Sequence, residues 1–489
     1  MIESIEFLGL GWQAWVSIVI TVLVFTLALT TKLATYIIFM GATTLLMLTG
    51  VLTPGQAIAG FSSTAVVTAG ALFVIVTGME KSGLMHWLVE HLLKTPKRYA
   101  TSIIGIMCPT TFLSSFLSNT SVVAIMINVA RIWCDKMHIS PSKLLIPLSY
   151  AAGAGGAFTL IGSPSTLIIA DLYEKQTGSA LDFFAPLIPA LCCFLICMFT
   201  VVVLRGLLPN HKLTEQAEID TANMRMKLTV PADSPFVMST VGESGLKTFG
   251  GGKLVELKHF DNVRFAPIPD DEPIFGGDTL YFEGGMTIKN EEIKIGRPTL
   301  YSGLILVAMV SLTLLNILPL LTSCMLAAFA MVICKCCTIK EGYDGINWKV
   351  LMVWAGSIAL GAALDKSGVA AAIAGSLVGL SGNSPLMIMF LLCFIATFMT
   401  EFVSNTAAAA LLFPIMINVI TPLGLPVLPY TLALIIAVTC SFATPIGSPT
   451  HMLIYGPGGY TFMDFVRIGL PMNFIVLTVN VLSVYYLFM

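Results

Sequence analysis

Charge is the scarcest feature of this sequence. Asp, Glu, Lys and Arg make up 11% of its 489 residues, where a soluble protein carries about 25%. Mean hydropathy is +0.89. This excludes a globular enzyme with one large core and implies an integral membrane protein with many spans. A net charge of −2 points to no strongly acidic or basic partner, nucleic acid included. Disulfide spacing is also missing. The eleven cysteines lie mostly in apolar stretches, as at Cys192-Cys193, Cys393 and Cys440. Cys334, Cys336 and Cys337 cluster at a span end, where small apolar fillers are favoured over a metal or lipidation site. The first residues carry no basic n-region and no cleavage pattern, so the first apolar stretch reads as a span. There is no TVGYG-like filter and no HExxH. These absences argue against a potassium channel and a zinc enzyme.

Long uncharged runs are present instead. Spans are expected near 13–31, 33–51, 64–80, 144–171 and 183–205, then near 299–317, 320–336, 348–364, 427–456 and 466–488. Residues 99–130 and 383–420 resist this assignment, being too long for one straight helix and too short for two spans. Each suits two half-helices meeting at a turn, a re-entrant hairpin. Between the two sets, 211–297 is polar and rich in Gly, Pro and charge, with short β-branched runs that read as strands. This is a small soluble α/β insert between membrane segments 1–210 and 298–489.

Landmarks recur at one displacement. Glu80-Lys81-Ser82-Gly83 is echoed by Asp365-Lys366-Ser367-Gly368, Ser118-Asn119-Thr120 by Ser404-Asn405-Thr406, and TLIGSPST (159–166) by TPIGSPTH (444–451). Two homologous halves follow, each with five spans and one hairpin. Five is odd, so the second half is expected to be inverted. With the insert in the cytoplasm and both termini outside, the inside loops beyond the insert hold sixteen Lys and Arg. The outside loops hold two, Lys175 and Lys366. The first hairpin then opens from the cytoplasm and the second from outside.

Inverted repeats with broken helices are a common architecture of secondary transporters. Irregular backbone at membrane depth is tolerated where it lines a cavity or is buried in protein. Ser, Asn and Thr cap helix N-termini, whose free N–H groups and positive dipole end attract anions. Oxygens at the same turns can hold Na⁺. Gly162-Ser163-Pro164 and Gly447-Ser448-Pro449 are expected to unwind two spans halfway. One such cluster would ordinarily be a helix-packing device. Two of each, at matching positions, favour binding.

The paired hairpins, with TEFVSNTA in the second, resemble the divalent anion:sodium symporter family. The resemblance covers both membrane halves. It implies a first Na⁺ site at Ser114, Ser118, Asn119 and Gly162, and a second at Thr400, Ser404, Asn405 and Gly447. It implies substrate oxygens held by Asn119, Thr120, Ser163, Asn405, Thr406, Ser448 and Pro449. It further implies an elevator movement in a homodimer within the lipid bilayer, by default a bacterial inner membrane. Family turns often end in Asn, where this chain has Thr166 and His451. The substrate therefore stays open between sulfate and a C4-dicarboxylate or citrate.

The insert resembles the TrkA-C domain, on GGDTLYFEG (276–284) and DSPFVMSTVGESGL (233–246). Such inserts accompany sulfate-type members, which tilts the expectation toward sulfate. The runner-up reading is a Na⁺/H⁺ antiporter or another ion transporter regulated by this insert. An antiporter needs titratable acids at the midplane, and Glu401 is the one candidate. His451 lies close enough to the second turn to be a candidate substrate contact. His86 and His91 sit on an amphipathic stretch, 83–98, expected to lie on the cytoplasmic surface.

Overall fold

The computed structural model describes residues 11–30, 33–85, 87–88, 99–137, 139–211 and 296–489 except 316. Of the intervening segment it describes 219–220, 225–229, 240–241, 248–249, 252–259, 263–265, 268–274 and 278–283. His86, His91, most of 83–98, and Lys32, Lys94, Lys97, Arg98, Lys212 and Lys294 from the charge count lie outside the described residues.

The chain divides into two compact units, Met1–Asn210 with Ile295–Met489, and His211–Lys294. The larger unit is helical. Its first half runs α1 (Trp12–Thr30), α2 (Thr35–Leu48), α3 (Pro54–Ile58), α4 (Thr64–Lys81), α5 (Tyr99–Ser114), α6 (Asn119–Met137), α7 (Ser142–Gly155), α8 (Pro164–Thr177) and α9 (Leu187–Val203). Its second half runs α10 (Arg297–Leu314), α11 (Leu320–Ile333), α12 (Ile339–Asp344), α13 (Trp348–Lys366), α14 (Val369–Ser381), α15 (Pro385–Thr400), α16 (Asn405–Ile420), α17 (Val427–Thr439), α18 (Pro449–Tyr455) and α19 (Phe462–Phe488). The described residues include four helical stretches long and apolar enough to cross a membrane: Pro54–Lys81, Arg297–Leu314, Trp348–Lys366 and Phe462–Phe488. Hydroxyls within these apolar helices turn back on their own backbone. Thr43 donates to Phe39 O and Ser17 to Gln13 O, each at 2.9 Å.

The elements recur at the displacement of the motifs. Trp12 and Arg297 open α1 and α10, Thr35 and Leu320 open α2 and α11, and Pro54 and Ile339 open α3 and α12. The two short helices carry the same capping box, Thr53 with Gln56 and Thr338 with Glu341. Gly83 and Gly368 both adopt left-handed backbone, φ 77° and 81°. Both expected hairpins are present as pairs of packed helices, α5 with α6 and α15 with α16, each joined by four residues. Both expected breaks are present too. The run 144–171 is α7 and α8 separated by 156–163, and 427–456 is α17 and α18 separated by 440–448. Three helices lie outside the expected spans and hairpins, the short α3 and α12 and the longer α14. Val369–Ser381 is an apolar helix between the span before it and the second hairpin, in a stretch the sequence reading left unassigned.

Packing exchanges partners between the halves. α4 lies on α11 while α13 lies on α2. α8 lies on α16 and α17, and α18 lies on α6 and α7. Each half-helix that follows a break therefore docks on the hairpin region of the other half.

The smaller unit holds an antiparallel sheet: β1 (Ile219–Asp220), β2 (Arg225–Thr229), β3 (Thr248–Phe249), β4 (Gly252–Lys258), β5 (Val263–Phe265) and β6 (Thr279–Glu283). The order is β1-β2-β6-β4-β3, with β5 paired to β4. The expected strand in GGDTLYFEG is β6, which pairs Thr279 with both Thr229 and Lys258. Most of DSPFVMSTVGESGL lies outside the described residues.

Candidate functional site

In the first half, α5 ends at Ser114 and α6 begins at Asn119. The Ser114 hydroxyl donates to Asn119 Oδ1 at 2.5 Å and ties the two limbs across the turn. After α7 the chain unwinds over 156–163 and restarts at Pro164, whose missing N–H costs nothing at a first helical position. The Thr159 hydroxyl pins this segment to the hairpin. It donates to Ser115 O and accepts from Gly162 N at 3.2 Å. A Cβ on Gly162 would stand 2.9–3.0 Å from the carbonyl oxygens of Gly156, Ser114 and Ser115. Three backbone oxygens thus gather at one glycine, with the Asn119 amide lying against neighbouring Gly156. Ser118 contributes its carbonyl to Val122 N at 3.1 Å, and its side chain is half-buried at the turn.

The second half repeats this wiring. The Thr444 hydroxyl donates to Glu401 O at 2.6 Å and accepts from Gly447 N at 3.0 Å. Ser404 caps α16, accepting from Ala407 N at 3.4 Å. One bond has no counterpart. Thr400, which matches Ser114, turns its hydroxyl back to Thr397 O at 3.0 Å. Asn405 Oδ1 is left buried with no hydrogen-bond partner. A buried amide oxygen in that condition is costly unless something fills it.

The restarted helices also match. Ser163 and Ser448 have nearly equal backbone angles, φ −135° and −144°. Their hydroxyls lie 2.9 Å from Ser165 Oγ and 2.8 Å from Thr450 Oγ1. Ser163, Ser448 and Thr406 are buried, whereas Thr120, Ser404 and Pro449 are exposed. Across the unit, Tyr150 OH donates to Phe442 O at 2.9 Å, and Gly153 approaches Thr439 O. α7 therefore packs against the end of α17 and the unwound segment that follows it.

Three side chains behave differently from the sequence reading, or were missed by it. Glu401 is buried, and its carboxylate accepts from Phe442 N (2.9 Å), Ala443 N (3.0 Å), Thr444 N (2.7 Å) and Asn473 Nδ2 (2.7 Å). It holds the unwound segment 440–448 in shape. His451 has both ring nitrogens engaged, Nδ1 with Ser149 Oγ at 2.6 Å and Nε2 donating to Ser441 O at 2.9 Å. Its ring is wedged beside Tyr150 and Phe465. It braces the break rather than offering a free nitrogen. Asp171 on α8 is a second buried acid, which the sequence reading passed over. It accepts from Ser63 at 2.8 Å and from Thr64, and pairs with Lys175 at 2.7 Å.

Among the described residues, no Lys or Arg bonds either hairpin turn or either unwound segment. None of these residues forms a group of three His, Cys, Asp or Glu able to hold a metal. The donors gathered here are hydroxyl, amide and backbone oxygens. Such hard, neutral ligands suit an alkali cation rather than a transition metal. Four helix N-termini, those of α6, α8, α16 and α18, open at these turns and favour negative charge. Glycine is required by close approach. Gly447→Ala would put Cβ 2.9 Å from Glu401 Oε2, and Gly162→Ala would crowd three carbonyls. Each substitution is expected to lower stability by about 1–3 kcal/mol through overpacking, which thermal unfolding in detergent measures.

The family model for the citrate transporter (CitMHS) matches residues 25–380 and 324–489. A sodium-dependent dicarboxylate transporter, SdcS, of Staphylococcus saprophyticus is 24% identical over 95% of this chain and 86% of its own. A protein named as probable sodium/sulfate cotransporter 3 of Chlamydomonas reinhardtii is 28% identical over 51% of this chain and 28% of its own. Among solved structures, the YdaH transporter of Alcanivorax borkumensis superposes with a TM-score of 0.54 over 96% of both chains, at 13% identity. That likeness concerns the fold alone.

Proposed function

The chain belongs to the citrate transporter family of membrane carriers, and on that premise we propose that it carries a divalent anion together with Na⁺. Sulfate is favoured over a C4-dicarboxylate or citrate. The observation that carries the reading is an oxygen-lined pair of turns to which no Lys or Arg among the described residues is bonded. A dianion entering buried protein needs compensation. Here helix N-termini and bound Na⁺ must supply it. One Na⁺ is assigned to Ser114, Ser118, Asn119 and Gly162, where three carbonyl oxygens already converge. The other is assigned to Thr400, Ser404, Asn405 and Gly447, where Asn405 Oδ1 awaits a partner. Substrate oxygens are assigned to Asn119, Thr120, Ser163, Asn405, Thr406, Ser448 and Pro449. The relatives named for sodium-dependent dicarboxylate and sodium/sulfate transport are in keeping with this. The tilt to sulfate rests on the TrkA-C-like character of the insert.

The halves are read as inverted, with the insert cytoplasmic and both termini outside. Supporting this, Lys81 meets Glu341 at 3.8 Å and Lys366 meets Gln56 at 3.0 Å. Each contact joins two loops that the charge count assigns to the same side. The carrier is read as a homodimer working by an elevator movement. The antiporter reading needs a buried acid free to exchange protons, and Glu401 is committed to four donors instead. Labelled sulfate or succinate uptake into proteoliposomes is expected to fall to background when choline or K⁺ replaces Na⁺. Full uptake driven by protons alone would overturn Na⁺ coupling.

A further inference from the structure

Two recurring motifs take no part in the site. One is Glu80-Lys81-Ser82-Gly83 with Asp365-Lys366-Ser367-Gly368. The other is Ile-Met-Ile-Asn, at 125–128 and again at 415–418. Their contacts separate the larger unit into two bodies. Within the frame, α1–α4 with α10–α13, contacts come in matched pairs: α4 on α11 and α13 on α2, Lys81 with Glu341 and Lys366 with Gln56. Within the body made of the hairpins and broken helices several bridges recur as well. Thr111 donates to Ala151 O at 3.1 Å and Thr397 to Ala437 O at 3.5 Å. Thr159 and Thr444 make the matching bridges described above.

Contacts between the two bodies are not matched. α13 lies hard against α16, where a Cβ on Gly361 would come 2.5 Å from Ala410 O. At the end of this contact Asn418 Nδ2 donates to Asp365 Oδ1 at 2.8 Å. The counterparts Glu80 and Asn128 are both exposed, and neither side chain is hydrogen-bonded to a described residue. α4 meets α8 instead, through Asp171, and the residue matching Asp171 is Gly456, just past the end of α18. Helix packing and several hydroxyl bridges within each body thus recur in both halves, whereas the contacts between the bodies do not, the pattern expected of two bodies offset toward one end of a stroke. The matching positions needed at the other end exist. Asn418 lies four residues further from its Ser-Asn-Thr than Asn128 does. Four residues are about one helical turn, so both Asn keep nearly the same facing.

Resting on the reading of this chain as a moving carrier, we infer that Asp365–Asn418 and Glu80–Asn128 are alternative latches. The first is closed in the orientation seen here. The second closes at the opposite end of the stroke. A ligand or contact shifts such an equilibrium only by its difference between the two states, and each latch exists in one state alone.

Cysteine pairs test this in proteoliposomes, in a background without native cysteines that retains Na⁺-dependent uptake. E80C with N128C and D365C with N418C are each expected to cross-link with a short bifunctional thiol reagent. Each cross-link should stop uptake, and reductant should restore it. A chain carrying all four cysteines should form one cross-link or the other, never both. Separately, E80Q is expected to raise the cross-linking rate of the 365/418 pair by roughly two- to fivefold, the range of an exposed polar tie. The latches are overturned if 80/128 never cross-links in a chain that transports, if both cross-links form in one chain, or if E80Q leaves the 365/418 rate unchanged. Absence of uptake in the unaltered chain would instead remove the transport reading, and the latches with it.

Discussion

Glu401→Ala is expected to produce a chain that unfolds readily and transports nothing. The carboxylate is 4% exposed and accepts from three consecutive backbone N–H groups and one amide. Its removal leaves four buried donors to compete for what remains. Phe442 N keeps Asn473 Oδ1 at 3.1 Å, but Ala443 N and Thr444 N have no other partner shown. A buried donor stripped of its partner costs about 1–3 kcal/mol, and loss of a buried charge from its network about 3–5 kcal/mol. That is a large part of any domain's stability. Glu401→Gln separates the shaping role from a direct one. Glutamine keeps the volume and one acceptor oxygen but aims an NH₂ group at a backbone donor, so stability and uptake should fall together. Unfolding midpoints in detergent, followed with uptake, check this. A Glu401→Gln chain of unchanged stability that has lost uptake would mean that the carboxylate meets the ion or the anion itself.

Asn405→Ala is expected to do the reverse, abolishing transport while leaving the fold intact. Its Oδ1 is buried and bonds nothing in the protein, so truncation removes no internal partner. If that oxygen receives Na⁺ or orders the substrate turn, uptake should drop at least tenfold, which corresponds to about 1.4 kcal/mol for a bond to a charged group. Asn119→Ala should lose as much uptake and also some stability, about 1 kcal/mol, because Ser114 then lacks its acceptor. The contrast between the two unfolding midpoints is the diagnostic. Equal, near-normal uptake in both variants would reduce the two triplets to helix-packing devices. The Na⁺ concentration giving half-maximal uptake should rise in any Asn variant that retains measurable transport.

How much of this was legible without coordinates depended on how far apart the partners stand in the chain. The scarcity of charge announced a membrane protein. Runs without charge, broken by Ser-Asn-Thr or Gly-Ser-Pro, marked both hairpins and both unwound helices. Capping and helix breaking act within a turn or two, so short stretches carry the whole signal. The repeat was legible because it is a property of the string itself, and the elements begin at the spacing the motifs announced. The sheet strand at Thr279–Glu283 was readable from its own residues for the same reason.

The sequence alone thus established the class, the repeat, the breaks and the residue types at each turn. Only the tertiary structure decided what those residues touch. Glu401 stood out in the sequence as the one candidate acid within the membrane, but its donors lie 41 to 72 residues away. Asp171 drew no notice in the sequence, and it anchors to Ser63, 108 residues earlier. His451 looked free to meet a substrate, and Ser149 and Ser441 hold both of its nitrogens. Apolar helices offer many faces of similar hydrophobicity. Which faces meet is settled by the packing of all of them at once, and buried polar groups then take the partners that packing supplies.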